Sequence, residues 1–400
     1  MFDHPYVWVG FALLALAALI SLFLVRKRGE KIEVDSAVDH DHHAGHNHQA
    51  PPADQVLLTP QEGDFSSVHA GKKWTGGCKF DPAEVRRSRF MAGPKIDTTN
   101  LPAPNPVVVA AINQVSIDNL KDTMLKLSGE IPMMVGGKSV QIATRNTYHP
   151  ELGIAMSYME EAYKALGISV SRSPYKVRGK TFENLVAVIP GSVDPKKVLI
   201  LGSHLDSTAG RPWGIENKAP GADDDGSGSA AVLEMARIIK GLKLPYTVQF
   251  LHFTGEEQGL WGSYAYSDIV AAAKTDVIAM LQIDMIAYCN KPGNRLDIHD
   301  GVNKNGSHEI VVKFFRAIKR YGININPVDT HNNAVTDRSD QAGFLDHGYK
   351  AVLISEEFSD DGFNPNYHSL NDRVVNCNMP YMTEVVKAVL VVAAEYGGLN

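Results

Sequence analysis

The sequence predicts an α/β fold: a single globular domain with a mostly parallel or mixed central sheet flanked by helices. Three observations carry that expectation. Short apolar runs such as "KKVLILGSHLDS" and "YTVQFLHFTGEE" have the pattern of buried strands that pass into polar loops. Segments with helical spacing stand between these runs, the alternation that builds sheets covered on both faces. Side chains able to bind ions recur where the strand patterns end, which is where open α/β sheets form ligand sites.

The elements follow in order. The first is not part of the domain. "MFDHPYVWVGFALLALAALISLFLVRKRGEK" holds an uncharged apolar run over residues 6–25, the length of a bilayer span. No Lys or Arg precedes it, and no small-residue cleavage site ends it, so it reads as a membrane anchor and not a cleaved signal. The basic cluster Arg26, Lys27, Arg28 and Lys31 follows, which by the positive-inside rule puts the rest of the chain in the cytoplasm.

Residues 26–105 read as a tether, partly disordered and rich in His and Pro. His40, His42, His43, His46 and His48 lie among acidic, small and proline residues that cannot bury a core. This stretch is either a loose metal chelator or a spacer that happens to be His-rich. "KKWTGGCKFDPAEVRRSRFMAGPK" within it takes no element from pattern alone, and residues 51–105 are either tether or a segment that wraps the domain behind them.

From residue 106 to 400 the domain pattern holds. "NPVVVAAINQVSIDNLKDTMLKLSG" reads as helix, and "GIAMSYMEEAYKALG" as a helix closed by Gly167. "SVSRSPYKV", "ENLVAVIPG" and "KKVLILGSH" read as strands. A helix follows "GADDDGSG", then the strand "YTVQFLHF", a helix through "GSYAYSDIVAAAK" and the strand "VIAMLQIDMIAY". "HEIVVKFFRAIKRYG" is helix, "KAVLISEEF" strand, and "YMTEVVKAVLVVAAEYG" a terminal helix.

Composition bounds the function. The 400 residues are 44% hydrophobic and 21% charged, ordinary for a globular chain. A net charge of −6 excludes the basic face of a nucleic-acid binder. Cys78, Cys289 and Cys377 have neither disulfide-framework nor CxxC spacing and read as buried free thiols.

Chemistry gathers at the strand ends. "LILGSHLDS" brings His204 and Asp206, "LHFTGEEQGL" brings Glu256 and Glu257, "LQIDM" brings Asp284, and "NPNYHSLND" brings His368. The triplet Asp223-Asp224-Asp225 adds three adjacent carboxylates. Such charges in one crevice repel unless a cation neutralises them. Two histidines with several carboxylates suit Zn2+, and five donors with one able to bridge suffice for a two-ion hydrolase.

The order and spacing of "SHLDS", "APGADDDGSGSAAVLEMA", "GEEQGLWGS", "LQIDM" and "YHSLND" resemble the di-zinc exopeptidase family of bacterial leucyl aminopeptidase, aminopeptidase Y and glutamate carboxypeptidase II. The bacterial leucyl aminopeptidase type is the nearest match, over about residues 106–400. The resemblance implies a zinc-exopeptidase fold and a metallo-aminopeptidase with two Zn2+ per chain. It would release the N-terminal residue from peptides or proteins with a free N-terminus. It assigns Asp224 as the bridge, His204 and Asp284 to one ion, and Glu257 and His368 to the other. Glu256 is implied as general base and Asp206 as the carboxylate that holds the His204 ring. A cis bond at Asp224-Asp225 is implied as well. Relatives of this type more often work outside the cytoplasm, which opposes the positive-inside reading of the anchor.

The chain departs from the family in two places. "THNNAVTDRSDQAGF" lacks the cysteine found in secreted relatives and carries Gln341 where His is usual, while Ser339 and Asp340 are kept. In leucine-preferring relatives, aromatic side chains before the final histidine line the first substrate pocket. Here Glu356 and Asp360 fall at those positions, beside Met285 and Tyr367, which implies a pocket favouring N-terminal Lys or Arg. Other readings on the same fold are a glutaminyl cyclase with one zinc, a carboxypeptidase, and a receptor-like module without catalysis. The intact five-ligand set favours the two-zinc aminopeptidase.

Overall fold

Side-chain alternation along one strand organises the molecule. In strand β6 (Asp194–His204), Leu199 and Leu201 face one hydrophobic layer, while Val198 and Ile200 face another. A strand apolar on both sides must lie inside a sheet covered on both faces. The computed structural model describes residues 91–331, 335–358 and 362–399. The expected anchor over residues 6–25 and the His-rich segment lie outside the described residues. Among the described residues no helix is long and apolar enough to cross a membrane.

The strands before β6 are β1 (Met91–Ala92), the hairpin β2 (Met133–Val135) and β3 (Lys138–Val140), β4 (Ser169–Val177) and β5 (Lys180–Ile189). After it come β7 (Tyr246–Phe253), β8 (Asp276–Ile283), β9 (Arg295–His299), β10 (Asn326–His331) and β11 (Ala351–Ser355). The helices are α1 (Pro106–Ile112), α2 (Ile117–Leu127), α3 (Glu151–Ala165), α4 (Gly226–Ile239), α5 (Trp261–Ala272), α6 (His308–Tyr321), α7 (Gln341–Asp346) and α8 (Met379–Tyr396).

Among the described residues the main sheet has nine strands in the order β1-β10-β9-β11-β8-β6-β7-β5-β4. Its centre is parallel: β6 pairs in parallel with both β7 and β8, and β8 with β11. The flanks are mixed, with β4, β5 and β7 antiparallel in turn and β11 antiparallel to β9. Helices α4 and α8 are buried almost throughout and pack on one face with α1, α2, α3 and α6. Helices α5 and α7 cover the other, where Tyr266, Val270 and Phe344 meet Ile200 and Phe253.

The structure refines several expectations. The stretch 105–129 forms two helices, because Ser116 accepts a hydrogen bond from Asn119 N–H and starts the second one. Gly167 follows α3 with φ 65°, as a closing glycine requires. Strands β9 and β10 escape the pattern: "RLDIH" and "NPVDTH" are short and carry polar or proline residues. Residues 91–105, read as tether, run along the domain. Arg316 donates to the Asp97 carbonyl (2.9 Å) and Arg320 to that of Ala103 (2.8 Å). Cys289 and Cys377 are free, as expected, but half-buried and not fully buried.

Candidate metal centre

The three central strands β8, β6 and β7 run parallel, so their carboxyl ends share one edge of the sheet. That edge delivers His204 from the end of β6, Glu256 and Glu257 from the loop after β7, and Asp284 directly after β8. The turn before α4 brings Asp224, and the loop after β11 brings His368. The peptide bond Asp224-Asp225 is cis, as the resemblance implied.

Distances converge on Asp224. Its Oδ1 lies 3.1 Å from His204 Nε2 and its Oδ2 lies 3.1 Å from His368 Nε2. His204 Nε2 is also 3.5 Å from Asp284 Oδ1, and His368 Nε2 is 3.0 Å from Glu257 Oε2. Each imidazole nitrogen therefore sits between two carboxylate oxygens, and Asp224 straddles both.

This arrangement tests whether cations fit. His204 Nδ1 lies 3.0 Å from the Asp206 carbonyl oxygen, which can only accept, so Nδ1 carries the hydrogen. In a neutral ring, Nε2 then points a lone pair at two anionic oxygens. Only a second proton or a cation relieves that repulsion. His252 supplies the contrast. It is fully buried, but its ring nitrogens meet the hydroxyls of Ser203 and Tyr163, each at 2.8 Å. Hydroxyls donate or accept as needed, and burial holds the His252 pKa down at about 3.

The protonation pattern agrees. Burial opposes a charge on His204, but the charges of Asp284 and Glu256 outweigh it and raise its pKa well above the usual histidine range. Burial likewise opposes a charge on His368, and Glu257 with Asp224 overrides it, lifting the pKa to about 10. For Glu256, burial is the main cause of a strongly raised pKa, with Glu257, Asp284 and Asp340 adding to it. Carboxylate repulsion, and at Glu256 chiefly burial, thus favours the protonated forms of these three groups, and a bound cation would relieve the same repulsion.

The support around these donors comes largely from the other two aspartates and from residues the sequence did not single out. Asp372 uses its two carboxylate oxygens to accept from Asp223 N–H (2.9 Å) and Asp224 N–H (3.0 Å). Asp225 caps α4 by accepting from Gly228 N–H (2.8 Å), and accepts from His204 N–H (3.0 Å) and Met285 N–H (3.3 Å). A Cβ at Gly228 would fall 2.2 Å from the Ile283 carbonyl oxygen, so only glycine lets α4 start this close to β8. Asp223 accepts from Ala287 N–H and the Asn364 amide. Ser339 donates to Asp284 Oδ2 (2.6 Å).

Arg145 is fully buried and donates to the carbonyls of Leu127, Leu205, Pro220 and Gly221 at 2.7–2.8 Å. It fastens the turn before Asp223 to the loop after His204. A single arginine in "IATRNTYH" gives no sequence signal for this, whereas Asp372 stood inside the quoted "YHSLND". Arg145→Met leaves those carbonyls unpaired and is expected to cost about 3–5 kcal/mol of stability, read as a lower urea midpoint.

Two expected roles change on inspection. The Asp206 carboxylate is 3.7 Å from His204 Nδ1, and the ring is held instead by the Asp206 carbonyl. The carboxylate accepts from Thr147 Oγ1 (2.8 Å) and from the N–H groups of Glu256 and Glu257 (3.3 Å each), fixing the glutamate loop. Glu356 is fully buried and turned away from the cavity. Its carboxylate accepts from Tyr288 N–H (2.6 Å) and faces Asp223, and burial with that neighbouring charge raises its pKa well above the usual range. Asp360 lies outside the described residues.

The cavity over the donors is lined by Met285, Arg338, Phe358, Phe363 and Tyr367, with His204, Asp224, Glu256, Asp284 and His368 at its floor. Tyr367 stacks on the His368 ring at 3.6 Å between centroids, and Phe363 meets Tyr367 edge-on at 5.1 Å. Arg338, Phe358 and Phe363 were not singled out by sequence.

Comparison with known proteins places these features. The model of peptidase family M28 matches residues 184–393. A probable zinc metalloprotease of Pyrenophora tritici-repentis is 37% identical over 116 residues, 29% of this chain and 27% of that protein. The match thus spans only about a quarter of that relative's length. Leucine aminopeptidase 1 of Trichophyton rubrum is 26% identical over 359 residues, covering 84% of this chain and 91% of its own. In fold, the LapA aminopeptidase of Legionella pneumophila superposes with a TM-score of 0.60 at 21% identity, covering 76% of this chain and 77% of that one.

Proposed function

Because this chain belongs to peptidase family M28, we propose that it is a zinc-dependent aminopeptidase that releases N-terminal residues from peptides through a two-zinc centre. The observation that carries the reading is Asp224 lying 3.1 Å from both His204 and His368, with a further carboxylate beside each imidazole. Asp224, His204 and Asp284 would hold one ion, and Asp224, Glu257 and His368 the other. When bound, the zinc pair supplies Lewis acidity that polarises the scissile carbonyl and lowers the pKa of water.

The rest belongs to the chain's own residues. Glu256 lines the cavity floor within 4.8 Å of the His204 and Asp284 donor atoms, and this reading leaves it out of the two donor sets. It takes a proton from the attacking water at its carboxylate and returns it to the leaving amine. Asp206 holds the Glu256 and Glu257 backbones, so the base and a metal donor keep a fixed separation. The duplicated His-and-carboxylate arrangement favours two ions over the single zinc of a cyclase.

The side-chain pocket favours apolar N-terminal residues. Its side-chain lining is Met285, Phe358, Phe363 and Tyr367, together with Arg338. Of the two acids behind the expected basic preference, Glu356 is engaged by Tyr288 N–H and Asp223, and Asp360 lies outside the described residues. Hydrolysis of aminoacyl p-nitroanilides, with metal content measured in parallel, tests the whole reading. The expected result is about two zincs at this centre and kcat/KM for Leu at least ~10-fold above Lys and Arg, about 1.4 kcal/mol of discrimination. Faster release of Lys would overturn the pocket reading; absence of metal-dependent release would overturn the function.

A further inference from the structure

A second set of ion-binding side chains shares no residue with that centre. Asp300 follows β9, His308 opens α6, and Asp329 and His331 lie on β10. Residues two apart on a strand face the same side, so Asp329 and His331 point together. His308 Nδ1 is 3.2 Å from Asp300 Oδ2 and 3.5 Å from Asp329 Oδ2, and His331 Nδ1 is 3.4 Å from Asp300 Oδ1. One donor atom from each of the four residues lies within 4.8 Å of all the others.

The cluster is sheltered, and several of its polar atoms are idle. The Asp300 side chain is fully buried, Asp329 is 8% exposed, and both histidines are 16% exposed. Asp300 Oδ1, both Asp329 carboxylate oxygens and His331 Nδ1 are buried with no hydrogen-bond partner. Such groups are costly to leave unmade, and two adjacent carboxylates add repulsion. Gly93 lies against the same carboxylate: a Cβ there would fall 1.8 Å from Asp329 Oδ2.

We propose that Asp300, His308, Asp329 and His331 form a structural site for one zinc or similar divalent transition-metal ion. Two imidazole nitrogens and two carboxylate oxygens make a closed tetrahedral set, and the nitrogens select zinc over calcium or magnesium. Tetrahedral ligands about 2.0–2.2 Å from zinc lie about 3.4 Å apart, so the present spacing needs only small side-chain rotations. The ion joins the end of β9, the start of α6 and the end of β10. The chain leaving β10 leads to Arg338, which lines the cavity, and Ser339, which holds Asp284. The existence of this site does not depend on the hydrolase reading.

The test is zinc content of the purified full chain by mass spectrometry. All chains carry the same His-rich tether, so only differences are read. Both H308A/H331A and Asp329→Asn are expected to lose one zinc per chain relative to the unsubstituted protein. An unchanged zinc content in the two variants would overturn the proposal. If the double variant fails to fold, cobalt(II) titration decides the matter. A visible tetrahedral band of one equivalent is expected in Asp224→Ala and absent from Asp224→Ala/Asp329→Asn; equal spectra refute the site. Failure of the catalytic reading looks different: Asp224→Ala then loses no zinc, while H308A/H331A still loses one.

Discussion

Glu256→Gln is expected to lower kcat about 10²–10⁴-fold, the range that a positioned proton-transfer group contributes. The substitution keeps the shape of the side chain and removes its basicity. Glu256 is 5% exposed, and its backbone N–H is held by Asp206, so the amide takes the same place. It belongs to neither proposed donor set, and zinc content should therefore match the parent protein. KM should change little, because the loss falls in the transition state. The pair of measurements that checks this is kcat on Leu-p-nitroanilide and zinc per chain. Near-parental turnover in Glu256→Gln would remove it as the base, whereas loss of zinc would reassign it as a metal donor.

Asp224→Ala is expected to abolish activity by a different route. Asp224 places one carboxylate oxygen 3.1 Å from each histidine, so its removal weakens both ion positions together. The four remaining donors would be left without their bridge. Zinc at this centre should fall towards zero, and turnover by about 10³-fold or more, since the ions supply several kcal/mol of charge stabilisation. A strong chelator should do the same to the parent protein, and added zinc should restore it. The readout is activity against free zinc in a buffered titration. Persisting activity in metal-free Asp224→Ala would exclude a metal mechanism.

The fold was readable from sequence wherever periodicity was strong. β6 and β7 alternate cleanly between two hydrophobic layers, and α8 is apolar over nearly its whole length. β9 and β10 were not readable, because their short segments mix charges and a proline and take their conformation from sheet neighbours. The donors were legible for a related reason: each follows a strand or glycine turn whose pattern is local. The supports were not. Arg145 reaches carbonyls of residues 127, 205, 220 and 221, a meeting that exists only after folding. The orientation of a pocket side chain was not legible, because position in sequence says nothing of where a side chain points. Glu356 sits near the expected place in sequence, yet its carboxylate faces Tyr288 N–H and Asp223.

The carboxylate of Asp372 gripping two successive backbone amides has a consequence for how the chain comes into being. Asn364, His368 and Asp372 all arrive with the segment 362–372 and all engage the aspartate turn or its donors. A ribosome that has translated only to residue 360 has already made β6, β7, β8 and the turn itself. It has not yet made the second histidine or the fork that orients Asp224. A chain stopped at residue 360 therefore lacks both His368 and the carboxylate that holds the Asp223 and Asp224 amides, and is expected to show no aminopeptidase activity.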